Sequence, residues 1–255
     1  MNLVQIWGDG LTVFWGEWLD LRVRLPQVFA SGLVSPLIYI LAFGFGLGSS
    51  LSKPPLGNSY LEFILPGMVA LSSMIISFAG TTFSICGDRL FNKTFEELLL
   101  APVHPLGVYF GKVLAGVVRG LLTALAIILI SVTFTGKVGG FLHPLFLLVV
   151  CLNCLVFAGL GVIVGLSVAS LETVGLYNNF LIVPMSFLGG TFFDPSTVPG
   201  LLKVVVYAIP LTYASVGLRA VALGGGFPWY APAVLLAIAM GLAVIGAYQF
   251  SHQQD

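Results

Sequence analysis

Hydrophobic residues along this chain fall into six long runs, and the polar residues collect in the stretches between them. Apolar runs of about 20 residues are long enough to cross a bilayer as α-helices. The pattern therefore predicts an all-α membrane protein in which residues 1–255 form a single transmembrane domain. The six predicted transmembrane helices are Gln27–Gly48, Leu61–Ile85, Val108–Phe134, His143–Val168, Asn178–Phe193 and Trp229–Phe250.

An amphipathic helix is predicted before the first span, within residues 1–26. Its apolar residues recur at steps of three and four, while Glu17, Asp20 and Arg24 fall on another face. A Trp-rich apolar face just before a span suits a helix that lies in the membrane interface. Packing on the protein's own cytoplasmic surface is the alternative. The apolar residues are Trp7, Leu11, Phe14, Trp18, Leu21 and Leu25.

The segment Gly200–Leu223, inside the stretch 195–226, is interrupted in a way that the spans are not. Lys203, Pro210 and Arg219 divide it into two apolar halves. Each half has about ten residues, and runs that short suit re-entrant or interfacial helices. As a re-entrant hairpin this segment leaves six spans with both termini on one side of the membrane. If the segment crosses the membrane instead, the chain has seven spans and its C-terminal tail lies outside.

Charge is scarce and evenly balanced in this protein. Charged residues make up 8% of the chain, hydrophobic residues make up 58%, and the formal net charge is +0. Because no basic cluster is present, we expect no binding to nucleic acid. Arg22 and Arg24, directly before the first span, place both termini in the cytoplasm by the positive-inside rule.

The cysteines and histidines give no pattern typical of a metal or redox site. Cys151 and Cys154 form a C-x-x-C inside a predicted span, without a second pair or a nearby histidine. Membrane packing of these thiols is therefore favoured over redox or metal chemistry. The three histidines are scattered, and no spacing places two of them on one helix face as ligands. We expect no metal site and no cofactor on this chain.

The stretch 87–107 holds five of the protein's few charges and must face water or a partner. The residues from Thr94 to Glu97 match a capping box, so a short helix should begin there. It should end near Ala101, because Pro102 cannot continue it. An ordinary interfacial helix and a docking element for a soluble partner both fit. The five charged residues are Asp88, Arg89, Lys93, Glu96 and Glu97.

Polar side chains within the spans are candidates for a substrate path. Ser73, Ser77 and Thr81 recur on one side of the second span. Small hydroxylated residues allow close helix packing, and they can also line a path. Together with the amides of Asn178 and Asn179, these hydroxyls would suit an amphipathic sugar-lipid.

The stretch between the second and third spans resembles the cytoplasmic segment of type-2 ABC exporter permeases. This family moves polysaccharides, lipo-oligosaccharides and drugs out of bacteria. The resemblance implies that the segment contains the coupling helix that docks on an ATPase. The matching residues are Arg89, Thr94, Phe95, Glu96, Glu97, Leu98 and Leu99.

A second match to this family lies around the fifth predicted span and the segment after it. The resemblance implies that 195–226 is an outward-side helical hairpin that does not cross, and that the N-terminal helix lies at the cytoplasmic interface. Tyr213 stands where many relatives carry His. The residues of this outward-side motif are Phe192, Phe193, Pro210, Thr212, Tyr213 and Arg219.

The resemblance implies a transport subunit of the bacterial inner membrane rather than an enzyme. The sequence contains no P-loop motif, so ATP and Mg²⁺ should bind a separate cytoplasmic ABC ATPase. A second permease chain, forming a homodimer, is the other expected protein partner. The expected substrate is an amphipathic lipid-linked saccharide or lipid, with a drug or antibiotic as the alternative.

Two other function classes have less support from the residues. An ion-coupled secondary transporter usually places charged groups near the bilayer midplane, and Arg119 is the nearest candidate here. Arg119 lies deep enough to require a partner or water, whereas Lys112 can reach the interface. An intramembrane enzyme would need a catalytic group of residues inside the spans, and no such pattern is present.

Overall fold

The computed structural model of the chain describes residues 3–47, 60–92, 94–101, 103–136 and 139–252, and these residues are almost entirely helical. An all-helical fold is thus confirmed. Three π-helical stretches continue or join the α-helices, at Ile40–Leu47, Asp88–Asn92 and Asn178–Ile182. The α-helices are α1 Leu3–Tyr39, α2 Tyr60–Gly87, α3 Thr94–Leu100, α4 Pro105–Thr135, α5 Pro144–Ser167, α6 Leu171–Tyr177, α7 Val183–Leu188, α8 Gly200–Ala208, α9 Pro210–Ala222 and α10 Tyr230–Ser251.

Helix α2 is the centre of the bundle and packs against α4, α5 and α9. Small residues allow this close packing. A Cβ atom at Gly161 of α5 would lie 2.7 Å from the carbonyl oxygen of Phe78, and one at Gly165 would lie 3.0 Å from Cβ of Ile85. With 28 residues, α2 is about 42 Å long at 1.5 Å per residue, which exceeds the thickness of the hydrocarbon core.

Within the described residues, five helices are long and apolar enough to cross a membrane, or six if the bent pair α8–α9 counts as one span. The chain is therefore a multi-pass membrane protein. The predicted span Asn178–Phe193 is not among these five helices, and its bounds are wrong. Helical structure there begins earlier, at Leu171, and ends at Leu188. The five long segments are Gln5–Ala42, Tyr60–Phe91, Pro105–Phe134, Pro144–Ser167 and Tyr230–Ser251.

The N-terminal region differs from the sequence prediction. A separate helix in residues 1–26 and a span from Gln27 were expected, but α1 runs unbroken through Pro26 and Pro36 to Tyr39. A proline removes only one backbone hydrogen bond, and packed membrane helices tolerate that loss. The predicted end of the first span at Gly48 lies outside the described residues.

The segment before the last span forms two short helices that meet at a right-angled bend. Helices α8 and α9 are inclined by 87° to each other, and Pro210 is the first residue of α9. They have 9 and 13 residues. At 1.5 Å per residue neither reaches the roughly 30 Å of a hydrocarbon core by itself.

Candidate functional site

Helix α3 occupies the predicted stretch at one end of the bundle. It begins at Thr94 and ends at Leu100, and Ala101 N–H still donates to the Glu97 carbonyl at 3.1 Å. The predicted start is confirmed, and the predicted end agrees to one residue. Glu97 is exposed, and Leu100 keeps 87% of its surface free. The side chains of Glu96, Leu98 and Leu99 lie outside the described part of the chain.

The first turn of α3 is anchored to the bundle. The Phe95 ring is buried and packs against Phe250 of α10, with 6.0 Å between the ring centroids. The Thr94 hydroxyl donates to Asp88 Oδ1 at 3.1 Å. These contacts fix one side of α3 to the protein and leave Glu97 on the outside. The helix therefore presents an exposed surface on a rigid base.

Arg89 has an inward role. Its Nη1 donates to the carbonyls of Gly165 at 2.9 Å, Leu166 at 2.7 Å and Val168 at 3.2 Å. These oxygens belong to the end of α5, where the last turn lacks intrahelical donors. The guanidinium also lies 5.8 Å from the centre of the Phe95 ring. Of the predicted coupling residues, Arg89 and Phe95 thus position α3 within the protein.

A buried cluster of charges lies next to α3, and we call it the charge cluster. It consists of Glu17, Asp88, Lys112 and Arg119. Lys112 Nζ on α4 donates to Glu17 on α1 and to Asp88 after α2. Arg119 Nη2 donates to Glu17 Oε2 at 2.9 Å, and Ser84 Oγ donates to Glu17 Oε1 at 2.7 Å. Two carboxylates thus balance two cations, as buried charges require.

The charge cluster supplies the partner that Arg119 was predicted to need. Helical periodicity places Glu17 on the same polar face as Asp20 and Arg24, and it does not tell which of them turns inward. In the structure the Glu17 side chain is 11% exposed, whereas Asp20 and Arg24 pair at 3.2 Å on the surface. The available signal was the pair Lys112 and Arg119, two cations on one face of a span that need a common anion.

The predicted path hydroxyls lie inside the helix contacts of this chain. Ser73, Ser77 and Thr81 are at most 1% exposed. Asn153 Nδ2 on α5 donates to Ser73 Oγ at 3.0 Å, and a Cβ atom at Gly120 of α4 would overlap Ser77 Oγ. This geometry favours the packing role that the sequence left open for these residues.

The predicted amides stand apart from those hydroxyls. Asn178 and Asn179 lie in the π-helical stretch between α6 and α7, where Asn178 is half-buried and Asn179 is exposed. π-helical turns widen the backbone and are frequent at functional sites. The structure therefore leaves Asn179 accessible from outside the chain.

Arg219 of the outward-side motif holds the opposite end of the bundle together. Its side chain is buried and donates to the carbonyls of Phe63 at 3.2 Å, Gly190 at 2.8 Å and Thr191 at 3.3 Å. The guanidinium also lies 3.7 Å from the centre of the Phe63 ring, a cation–π contact. This residue ties α9 to the start of α2 and to the turn after α7.

The aromatic part of this motif joins the same elements. Phe192 and Phe193 lie in the turn after α7 and are half-buried. The Tyr60 hydroxyl donates to the Phe192 carbonyl at 3.0 Å. The Phe192 ring lies 5.7 Å from that of Tyr39 and 5.8 Å from that of Phe187. The turn is thus packed against α1 and α2.

The remaining motif residues stabilise the bend between α8 and α9. Thr212 donates its hydroxyl to the Val206 carbonyl at 2.5 Å, and Tyr213 donates to the Tyr207 carbonyl at 2.7 Å. Both bonds cross the bend at Pro210. The Tyr213 hydroxyl is therefore hydrogen-bonded within the chain. Tyr213 is the residue that stands where many relatives are expected to carry His.

Two cavities flank the charge cluster. One of about 660 Å³ lies between α1, α3 and the end of α2, and Glu17, Asp88, Thr94 and Lys112 line part of it. Another of about 450 Å³ lies between α1 and α2 and reaches Arg119. Among the described residues, no three His, Cys, Asp or Glu side chains come together as metal ligands would.

Comparisons with known proteins agree on one family. The family model described as ABC-2 type transporter matches residues 10–223. The inner membrane transport permease YadH of Escherichia coli (strain K12) is 29% identical over 201 residues, which cover 77% of each chain. Nodulation protein J of Rhizobium meliloti (strain 1021) is 30% identical over 207 residues, 80% of this chain and 76% of the relative. Nodulation protein J of Neorhizobium galegae is 27% identical over 228 residues, 89% of this chain and 84% of the relative.

Proposed function

This chain belongs to the ABC-2 type transporter family, and from that premise we propose that it is the membrane-spanning permease subunit of an ATP-driven exporter. Family members are membrane transport subunits that work with an ABC ATPase. Since this sequence has no P-loop motif, the energy comes from a separate ATPase chain that binds ATP and Mg²⁺.

The observation that carries the proposal is the construction of α3. Phe95 and Thr94 fix the helix to α10 and to the charge cluster, while Glu97 and Leu100 face outward. A helix that is fixed on one side and free on the other can receive force from a soluble partner and pass it to the bundle. We assign the exposed side of α3 to the ATPase contact.

The substrate that we propose is amphipathic, a lipid-linked saccharide or another lipid. It moves out of the cytoplasm or the inner leaflet along a path between two permease chains. Asn179 is an exposed polar residue that can face such a path, whereas Ser73 and Ser77 serve helix packing. Export of a drug or antibiotic by the same assembly is the alternative.

The assembly that we propose contains two copies of this chain and two ATPase chains. Both termini and α3 lie on the cytoplasmic side of the inner membrane, because Arg22 and Arg24 directly precede the apolar part of α1 that begins at Gln27. Helices α8 and α9 then form a re-entrant hairpin on the outward side, and the helical stretch from Leu171 to Leu188 is the sixth crossing. The part of α1 before Pro26 lies at the cytoplasmic interface.

The test is an ATPase assay on the assembled complex. The chain is co-expressed with the ATPase encoded beside it, purified and reconstituted in lipid nanodiscs, with Glu97→Lys as the variant. Reversal of an exposed charge on α3 should lower ATP hydrolysis relative to the unmodified complex. Lys203→Glu reverses another exposed charge, on α8, and should leave hydrolysis unchanged.

Two results would contradict the proposal. One is that the ATPase fails to co-purify with the unmodified chain in mild detergent. The other is that Glu97→Lys and Lys203→Glu have equal effects on ATP hydrolysis, because α3 would then have no special contact with the ATPase. Transport that continues without the ATPase and stops with an uncoupler would favour an ion-coupled transporter instead.

A further inference from the structure

The charge cluster joins α3 to the interior of the bundle by an unbroken series of contacts. Thr94 on α3 donates to Asp88, and Lys112 bridges Asp88 and Glu17. Glu17 in turn accepts from Arg119, which also donates to the Gly80 carbonyl of α2. Lys112 and Arg119 are seven residues apart on α4, which is about 10 Å along a helix axis.

Glu17 has a special place in this series. Among the described residues, it is the only carboxylate that contacts both Lys112 and Arg119. It is also the only charged residue of α1 in the charge cluster. Its carboxylate contacts α2 through the Ser84 hydroxyl. A displacement of Asp88 would therefore reach α1 through this side chain, while Asp9 of α1 makes a separate link by accepting from His104 N–H at 3.1 Å.

Free space surrounds this connection. The cavity of about 660 Å³ separates α3 from α1 beside Glu17, and the cavity of about 450 Å³ separates α1 from α2 beside Arg119. Well-packed protein interiors leave few voids larger than a water molecule. Helix α1 packs closely along α4 and only lightly against α2 here, so the ionic contacts of Glu17 form a large part of its connection to this end of the bundle.

We propose that Glu17 is a positioning residue that makes the position of α1 depend on the position of α3. Movement of α3 shifts Asp88, Lys112 redistributes its contact between Asp88 and Glu17, and α1 moves relative to α2. The inference rests on the proposed function, because it takes α3 as the element that the ATPase moves. A conformational change of this kind requires contacts that differ in free energy between the two states.

The test uses the reconstituted complex with its ATPase and a thiol reporter on α1. Thr12 is exposed and lines the larger cavity. The rate at which a polar maleimide labels Thr12→Cys therefore reports how accessible this cavity is. In the otherwise unmodified complex, ATP with vanadate should change this rate relative to the nucleotide-free complex. With Glu17→Gln the change should be lost, while ATP hydrolysis continues.

Matched variants separate this role from simple stabilisation. Asp20→Asn removes an exposed carboxylate from the same helix and should leave the response intact, and Glu17→Asp keeps the charge and should restore part of it. The double variant Glu17→Gln with Arg119→Gln leaves Lys112 paired with Asp88 and no unpaired charge in the charge cluster. It should recover thermal stability but not the nucleotide-dependent change in labelling. A purely structural role predicts instead that both recover together.

The outcomes distinguish this inference from the proposed function. If the unmodified complex hydrolyses ATP and responds at Thr12→Cys, and Glu17→Gln responds equally, the positioning role is overturned. If the double variant regains the response together with its stability, the role is structural and the inference is also overturned. If the unmodified chain does not associate with the ATPase, the proposed function fails first.

Discussion

Lys112 shows how a membrane bundle can bury a full charge. Its side chain is 5% exposed and donates to two carboxylates from two other elements. Removing one partner from a buried ion pair leaves an uncompensated charge, which costs more than the pair itself contributes. The charge cluster should therefore tolerate single substitutions poorly. The exposed pair of Asp20 and Arg24 on α1 should tolerate them well.

We predict that Lys112→Met lowers the free energy of unfolding by about 3–5 kcal/mol, because Glu17 and Asp88 lose their shared cation. Thermal unfolding of the purified chain in detergent measures the effect. Arg24→Met is the matched control, since Arg24 and Asp20 are 66% and 55% exposed and such a pair contributes about 0.3–0.5 kcal/mol. Equal losses of stability in both variants would contradict the assignment of Lys112 to a buried cluster.

The sequence predicted half of this cluster. Arg119 stands in the middle of an apolar run, so its need for an anion follows from the cost of a charge in lipid. The identity of the anion depends on how α1 rotates against α4. Glu17 is 102 residues from Arg119 along the chain, and no local pattern relates them. The inward role of Arg89 was missed for the same reason, because its acceptors lie at the end of α5.

At the scale of elements, the end of α5 depends on a residue from outside that helix. Arg89 donates to three carbonyls of the last turn and C-cap of α5, and hydrogen bonds from a charged group contribute about 1.5–3 kcal/mol each. We predict that Arg89→Ala increases hydrogen exchange at residues 165–171 and lowers thermal stability. Exchange mass spectrometry of the purified chain measures the first effect.

Arg22→Ala provides the control for that measurement, because Arg22 is exposed on α1. It should leave exchange at the end of α5 unchanged. Normal protection of residues 165–171 in Arg89→Ala would show that the guanidinium does not cap α5. The residue would then be free to face a partner, as the sequence resemblance implied.

Glycine positions on α5 set its distance from α2. A Cβ atom at Gly161 would lie 2.7 Å from the backbone oxygen of Phe78, and a backbone atom cannot move aside as a side chain can. We predict that Gly161→Ala costs about 1–3 kcal/mol, as overpacking does. Thermal unfolding in detergent measures the loss.

The same substitution on another helix gives the opposite expectation. Gly241 of α10 has nothing within 4 Å of the position of a Cβ atom. Gly241→Ala should raise stability slightly, since Ala favours a helix over Gly by about 1 kcal/mol. A loss of stability at Gly241 equal to that at Gly161 would mean that the close approach to Phe78 is not the cause of the loss at Gly161.

The long helices were largely predictable from hydrophobic runs, and their junctions were not. The predicted second, third, fourth and sixth spans each lie within a few residues of an observed helix. The predicted boundary between the interface helix and the first span falls at Pro26, yet α1 passes Pro26 as well as Pro36. Tertiary packing of α1 along α4 can compensate for a lost hydrogen bond. Pro210, whose preceding helix α8 packs against few of the other described elements, does mark a bend.

At the scale of the whole molecule, the two ends of α2 define two faces of the protein. Asp88 and α3 belong to one end, and the contact of Arg219 with Phe63 places α9 at the other. The bent pair α8–α9 can join the second face in two ways. As a re-entrant hairpin it begins and finishes on the same side of the membrane, and as a broken span it does not.

Thiol labelling in intact cells separates the two topologies. We predict that Lys203→Cys and Gly225→Cys, at exposed positions near the two ends of the pair, both react with a membrane-impermeant maleimide added outside. Glu97→Cys on α3 should react only after permeabilisation, because α3 faces the cytoplasm in the proposed orientation. Of the three native cysteines, Cys86 and Cys154 are buried and Cys151 is partly buried, so Cys151→Ser is included in the background.

The pattern of labelling tests the hairpin and the orientation separately. If Lys203→Cys and Gly225→Cys react from opposite sides, the pair crosses the membrane and the last span runs in the reverse direction. If both react from outside together with Glu97→Cys, the two faces of the bundle are not separated by the bilayer, contrary to the length of α2. A hairpin with α3 on the inside brings the buried Arg219 contacts to the outward face. There the guanidinium holds α9 against the start of α2, opposite the end where the ATPase is proposed to act.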